Sequence, residues 1–421
     1  MAQITAPKGT QDVLPSQSYK WQYVESIIRE TCRLYGYSEI RTPVFEHTEV
    51  FVRGVGDTTD VVTKEMYTFE DKGGRSITLR PEGTAGIVRS FIENGIFNDP
   101  LPAKLYYLIN CFRYEKPQKG RLRQFSQFGV ELFGATTPET DANIISLPHT
   151  VFKKLGINDI ELHINSIGCK TCRNEYRKAL IEYFEDKKQN LCPTCNERLY
   201  KNPMRILDCK SDICKEIAKD APKITDYLCD ECETHFNAVK TYLDGMDIKY
   251  TVNPTIVRGL DYYNRTVFEF ISNNIGAQGT VCGGGRYDGM TEQLGGANYA
   301  GIGFAMGLER IMLLLDDNVV SPNTPDIYLA PMGERAKLEC AKLASALIAD
   351  GVAVEYDLLG RSLKAQMKFA NKIGAKTCAV IGDGELDNGT LKIKCMANGN
   401  EKEIKFADLN KNTIMEMTVN E

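Results

Sequence analysis

Three sets of residues in this sequence have the types and spacing to do chemistry. The first lies in Cys111–Gly134, CFRYEKPQKGRLRQFSQFGVELFG. Side chains alternate faces along an extended chain. Read as two strands and a loop, the stretch puts Arg113 and Glu115 on one face, Phe112 and Tyr114 on the other. In the second strand Gln127, Gly129 and Glu131 share one face, opposite Phe128, Val130 and Leu132. One apolar face and one face of guanidinium, amide and carboxyl groups make the floor of a polar pocket. The loop adds Lys116, Lys119, Arg121 and Arg123 around Pro117 and Gly120, a surface suited to phosphates. An amphipathic hairpin with a solvated basic turn would fit the same pattern. The second set is four cysteine pairs: Cys169 and Cys172, Cys192 and Cys195, Cys209 and Cys214, Cys229 and Cys232. Three C-x-x-C pairs and one C-x4-C suit two tetrahedral thiolate zinc sites, and equally a set of reduced thiols. The third set is Arg361, Lys364, Lys368 and Lys372, spaced three or four apart opposite Leu363, Met367 and Ile373. Such a stripe is either a solvated helix face or a contact for RNA phosphates.

The pattern from Phe112 to Gly134 resembles the second signature motif of class II aminoacyl-tRNA synthetases, specifically the histidyl-tRNA synthetase family. Five further segments resemble that family in the expected order: KGTQDVLP at Lys8–Pro15, TLRPEGTAG at Thr78–Gly86, VRGLDYYNRTVFEF at Val257–Phe270, GGGRYDG at Gly283–Gly289 and GIGFAMGLER at Gly301–Arg310. Lys8 stands where many relatives have arginine, a mild departure. Six ordered motifs spread along the chain are far more specific than any single glycine pattern.

The resemblance implies an enzyme that activates L-histidine with ATP to histidyl-adenylate and transfers it to the 3' end of tRNA-His. It implies an α+β architecture: a class II antiparallel-sheet catalytic domain over residues 1–168 and 233–320, a mainly helical cysteine-rich insertion over 169–232, and an α/β anticodon-binding domain over 325–421. It assigns Arg113 and Arg258 to catalysis at the α-phosphate. Arg121 and Arg310 correspond to ligands of the outer phosphates, and Glu115 to a residue near adenine. Glu82, Thr84 and Gln127 match the amino-group site, Arg258 also meets the carboxylate, Glu131, Tyr263 and Tyr287 match the imidazole pocket, and Tyr262 is a further histidine-binding residue. Gln118, Arg123, Arg361, Lys364 and Lys368 are the residues expected to meet tRNA. ATP is expected with Mg2+, the partner is tRNA-His, and the chain is expected to pair with a second copy. The resemblance does not by itself imply zinc, so metal binding by Cys169, Cys172, Cys192, Cys195, Cys209, Cys214, Cys229 and Cys232 stays open. Two rival readings share parts of the pattern. A non-catalytic paralogue that regulates ATP phosphoribosyltransferase has the catalytic fold but lacks the C-terminal domain and departs from the arginine-rich motifs. A plain RNA-binding protein needs no inward acidic pocket such as Glu82, Gln127 and Glu131 would form.

These residues need elements to hold them. The 421 residues, 43% of them apolar, provide for two or three domains. The longest apolar run, Ile311–Leu315, is too short to span a bilayer, and no secretion-type start is visible, so a cytoplasmic location is expected. The net charge of −5 means that nucleic-acid contacts rely on local basic patches. The spacing predicts a helix over Ser16–Gly36, with Ser16 as N-cap and Trp21, Val24, Ile28 and Leu34 buried. A strand ending at Pro43 suits an edge or an interface. A hairpin turning at Asp71–Gly74 should lead into a helix from Pro81, so that Glu82 and Thr84 sit in its first turn, where capping is their ordinary role. Pro148 should kink or divide a helix over Pro138–Gly156. Tyr250–Ser272 reads as strand, CGGGRYDGM as a glycine turn, and Gly301–Leu315 as a strand passing into a helix. Beyond Asp317 strands and helices alternate, the mark of a separate mixed-sheet domain.

Overall fold

The polar hairpin forms the middle of an eight-stranded sheet in the computed structural model, which describes residues 3–56, 59–275 and 279–418. From one edge to the other the strands are Ser38–Glu39, Ala103–Phe112, Gln124–Phe133, Gly301–Gly307, Thr280–Arg286, Asn264–Ile271, Glu161–Ser166 and Thr251–Val252. The two outermost pairs are parallel and the rest antiparallel. Alternation along Gln124–Phe133 sends Phe128, Val130 and Leu132 into one core, with Ile302, Phe304 and Met306 from the neighbouring strand. Helices Pro15–Leu34, Pro138–Lys154 and Asp230–Gly245 cover that face. Burying each such side chain contributes about 1.5–3 kcal/mol. On the other face Tyr107, Phe133, Val267 and Tyr287 pack beneath helices Thr48–Val55 and Thr84–Glu93.

A buried ionic cluster ties these layers together. Asp141 of the Pro138–Lys154 helix lies 2.6 Å from the Arg286 guanidinium and 2.8 Å from Nε2 of His235. The Arg286 and Asp141 side chains are fully buried. Removing one member of such a pair strands the other charge in the core, at a cost of about 3–5 kcal/mol.

Several sequence expectations need correction. The first helix begins at Pro15 with Leu14 as its N-cap, not Ser16, because proline fits the first helical turn, where its missing N–H costs nothing. Gly36 does terminate it at φ 77°, but Leu34 points outward and is exposed. The strand before Pro43 shrinks to Ser38–Glu39 at the sheet edge. The hairpin turning at Asp71–Gly74 is present, yet the helix after it starts at Thr84 and not at Pro81. Pro148 neither divides nor ends its helix, which runs unbroken over Pro138–Lys154 with the ring packed in the core. Only Thr251–Val252 and Asn264–Ile271 are strand within Tyr250–Ser272. The residues between them form the loop that carries Arg258. The triple glycine is not a turn: Gly283–Gly285 lie inside strand Thr280–Arg286, where a Cβ on Gly284 would come within 2.2 Å of the Gly303 carbonyl oxygen.

Chain contacts divide at Val320, giving one unit to that point and a second over 321–421. Within the first, the cysteine-rich stretch builds its own small core from Tyr176, Leu180, Phe184, Leu199, Ile206 and Ile224. In the second unit the strands Val354–Tyr356, Ile327–Pro331 and Thr377–Ile381 are parallel neighbours, and an antiparallel hairpin, Thr390–Cys395 and Glu401–Lys405, completes a five-stranded sheet. Helices Glu334–Ala349 and Leu363–Lys372 supply the crossovers.

Candidate active site

A cavity of about 840 Å³ opens over the polar face of the sheet in the first unit. Glu82, Thr84, Arg113, Glu115, Arg121, Gln127, Arg258, Tyr262 and Arg310 all line it. Residues more than 220 positions apart in sequence therefore meet at one site (Glu82 and Arg310 differ by 228).

The arginines converge from three elements. Arg113 lies just past the end of strand Ala103–Phe112, one correction to the two-strand reading, since Arg113 and Glu115 belong to the connecting loop. The ladder still holds Arg113 in line, its N–H donating to the Arg123 carbonyl at 2.8 Å. Its Nε donates to the Pro81 carbonyl at 2.8 Å and its guanidinium lies 5.3 Å from the Phe125 ring. Arg121 pairs with Glu115 at 3.1 Å. Arg310 comes from the helix Leu308–Leu314, and its Nη1 donates to the Thr280 carbonyl. Burial, with Arg121 close by, pushes Arg310 down to about 10. A polyanion placed among these guanidiniums would relieve that repulsion.

Arg258 sits on the floor, paired with Glu269, and its Nε is buried without a hydrogen-bond partner. Desolvation lowers the Arg258 pKa, but Glu269 together with Tyr263 and Tyr262 holds it above its ordinary value. The ion pair with Glu269 fixes the side chain of the residue expected at the α-phosphate. Gly283 makes room for it, since a Cβ there would lie 2.4 Å from Arg258 Nη1.

The acidic side of the site lies deeper. Glu82 acts as the cap of helix Thr84–Glu93, its two oxygens accepting from the N–H groups of Thr84 and Ala85 at 2.8 Å each. Burial nevertheless holds its pKa above the usual carboxylate range. Glu131 does not line the open cavity, and neither do Tyr263 and Tyr287. They are buried directly behind Thr84 and Tyr262. Thr84 donates its hydroxyl to Glu131 at 2.7 Å, Tyr107 donates at 3.2 Å and Tyr287 donates to the other oxygen. The Tyr262 ring is 4.5 Å from that of Tyr263 and 5.7 Å from that of Tyr287. Burial pushes Glu131 up to about 8, against the opposing hydroxyl hydrogen bonds. A Cβ on Gly303 would lie 2.0 Å from the Glu131 carboxylate, so only glycine fits beside it.

Other lining groups were not singled out from sequence. Glu65 and Glu309 reach the cavity, and burial raises both carboxyls. Arg198, Arg205, Asp208 and Lys210 come from the cysteine-rich stretch and form one wall. No local pattern marks them, because their role depends on where that stretch packs.

Among the expected tRNA contacts, Gln118 is exposed, while Arg123 stacks 3.9 Å above the Tyr114 ring. In the second unit Lys364 and Lys368 are exposed on helix Leu363–Lys372. Arg361 leaves the stripe: its guanidinium and backbone N–H both donate to Asp357 at 2.7 Å, and it covers the Phe369 ring. It secures the entry to the helix.

The eight cysteine sulfurs fall into two groups, Cys169, Cys172, Cys229, Cys232 and Cys192, Cys195, Cys209, Cys214, each with every sulfur within 4.8 Å of the others. None of the eight forms a disulfide.

Comparison with known proteins gives consistent matches. A family model described as Histidyl-tRNA synthetase matches residues 9–311, and one described as Anticodon binding domain matches 326–413. The chain is 55% identical to the Histidine--tRNA ligase of Caldanaerobacter subterraneus subsp. tengcongensis, over 96% of this chain and 98% of that one. It is 54% identical to the same enzyme of Acetivibrio thermocellus, over 96% and 98%. The crystal structure of apo S. aureus histidyl-tRNA synthetase superposes with a TM-score of 0.83 at 40% identity, covering 99% of this chain and all of that one.

Proposed function

Because the chain belongs to the histidyl-tRNA synthetase family, we propose that the cavity over the polar sheet face is where histidine and ATP react. The activity is that of a histidine–tRNA ligase, and relatives at more than half identity set aside the non-catalytic regulatory paralogue. In the first step a carboxylate oxygen of histidine attacks the α-phosphorus of ATP and pyrophosphate leaves. In the second, a ribose hydroxyl at the 3' end of tRNA-His takes the histidyl group and AMP leaves.

The observation that carries the site assignment is the convergence of Arg113, Arg121, Arg258, Arg310 and the buried carboxyl of Glu82 on one cavity, with Glu131 buried directly behind Thr84. Attack at phosphorus builds negative charge on the phosphoryl oxygens, which preorganised guanidiniums stabilise. Arg113 and Arg258 take that role, while Arg121 and Arg310 hold the outer phosphates and Glu115 lies toward adenine. Arg258 also meets the substrate carboxylate. ATP arrives as its Mg2+ complex, and the carboxylate of Glu309 on the same wall would offer that hard cation an oxygen ligand.

Glu82, with Thr84 and Gln127, receives the ammonium group, whose positive charge favours the ionised carboxylate that burial disfavours. Glu131, Tyr262, Tyr263 and Tyr287 surround the imidazole. Discrimination follows because a side chain lacking ring N–H groups would leave these buried polar atoms without a partner.

The C-terminal unit, with Lys364 and Lys368, serves tRNA-His, as do Gln118 and Arg123 of the basic loop. Phe45 and Phe69 are about half exposed on the small three-stranded sheet that follows the Ser38–Glu39 edge, and this apolar surface supports a homodimer. Among the described residues no helix is long and apolar enough to cross a membrane, which agrees with work in the cytoplasm. Amino-acid-dependent exchange of labelled pyrophosphate into ATP tests the reading. Only histidine should support it, and comparable exchange with another amino acid would remove the specificity claim.

A further inference from the structure

The second cysteine group borders the active-site cavity, and the chain between its two pairs reaches the catalytic arginine. Cys192 and Cys209 themselves line the cavity, next to Arg198, Arg205 and Asp208. Three contacts fasten this wall to loops beside the sheet: Arg198 pairs with Asp60 at 3.2 Å, Asn202 donates to Asp261 at 3.1 Å, and Arg205 donates to the Arg258 carbonyl at 2.7 Å. Arg258 has φ 58°, in the left-handed region that residues other than glycine adopt rarely and at a cost. Arg205 is therefore the group that holds the carbonyl of a strained backbone unit whose side chain meets the α-phosphate.

The geometry of both cysteine groups is that of a metal thiolate. Cys169 and Cys172 sulfurs are 3.6 Å apart, Cys169 and Cys229 4.0 Å, Cys192 and Cys209 3.8 Å. Zinc–sulfur bonds of ~2.3 Å at tetrahedral angles give edges of ~3.8 Å, whereas a disulfide would need ~2.05 Å. Backbone N–H groups point at the sulfurs, from Cys229 to Cys172 at 3.1 Å and from Cys192 to Cys214 at 3.3 Å. Such donors stabilise thiolate charge. Four soft, negatively charged ligands in a closed tetrahedron select zinc in a structural role.

We propose that this chain binds two zinc ions, on Cys169, Cys172, Cys229, Cys232 and on Cys192, Cys195, Cys209, Cys214, and that the second ion is a positioning element of the active site, acting through Arg205 on Arg258. The coupling rests on the role given to Arg258 above, while the metal assignment does not. Without the second ion the loop from Cys192 to Cys214 loses the cross-link that sets its path, and Arg205 leaves the Arg258 carbonyl.

Elemental analysis of the full chain purified without chelator should return two zinc ions per chain, falling to one for Cys209→Ser with Cys214→Ser. Iron in their place, or less than about a tenth of an equivalent of any metal, would overturn the assignment. Cobalt loaded in place of zinc should show the visible bands of tetrahedral sulfur ligation. The variant Arg205→Ala keeps every cysteine, so it should retain both zinc ions and its thermal transition. Its turnover in histidine-dependent pyrophosphate exchange should fall on the order of 10- to 100-fold, with smaller changes in the Michaelis constants. Arg205→Lys, which can still donate to the carbonyl, should recover part of the loss. Unchanged exchange in Arg205→Ala would overturn the positioning role. A chain that holds two zinc ions yet exchanges pyrophosphate with no amino acid would instead refute the histidine reading.

Discussion

Arg258 and Glu131 face opposite electrostatic problems. Arg258 brings a permanent charge to a cavity floor, where Glu269 and the Gly283 cradle keep it in place. Its loss removes a preorganised donor, so Arg258→Ala should lower pyrophosphate exchange by about 10²–10³. Transfer from preformed histidyl-adenylate to tRNA should fall much less, because no charge then builds at the attacked phosphorus. Single-turnover measurement of both steps separates the outcomes; equal losses would make Arg258 a support of the pocket alone. Glu131 is a buried acid raised to about 8. The folded chain therefore holds a proton that the unfolded chain releases near pH 4.5, and stability drains away as pH rises from there to about 8. Glu131→Gln carries no ionisable group, so its melting temperature should gain on the parent across that window and stay level above it. The same substitution should raise the Michaelis constant for histidine; an unchanged constant would take Glu131 out of the imidazole site.

At the scale of elements, the helix Leu363–Lys372 shows how one period serves two purposes. Its inner face buries Gln366 and Ala370, and its outer face presents Lys364 and Lys368. Reversing both charges should raise the Michaelis constant for tRNA and flatten its salt dependence by about one unit of slope per lost phosphate contact. Charging that ignores the reversal would identify a solvated face. Helix Thr84–Glu93 makes a related economy. Glu82 caps it through two backbone N–H groups and still faces the cavity, so the cap is also the residue proposed to bind the ammonium group. The capping role expected from position alone and the binding role expected from resemblance are compatible, since a carboxylate has lone pairs for both.

For the whole molecule, legibility follows the range of the forces involved. Period-2 alternation put Gln127 and Glu131 opposite Phe128, Val130 and Leu132, and the sheet keeps that division. The passage from strand to helix at Gly307 and the alternating C-terminal unit were legible for the same reason: neighbours in sequence set them. The ordered motifs identified the chemistry and the family. What sequence could not decide depends on contacts between distant segments. Pro148 continues its helix because the ring is buried in a packed core that outweighs one missing backbone bond. The glycines at 283–285 lie within a strand because Arg258 and a neighbouring strand press against them, a need created only by sheet assembly. Arg361 turns from the basic stripe because Asp357 and Phe369 are brought beneath it. The wall of Arg198, Arg205 and Asp208 exists only once the insertion packs over the sheet, and the cysteines gather into two groups only once that stretch folds on its own core. Residue types and local period therefore determined the chemistry and the faces, whereas long-range packing decided which charges meet.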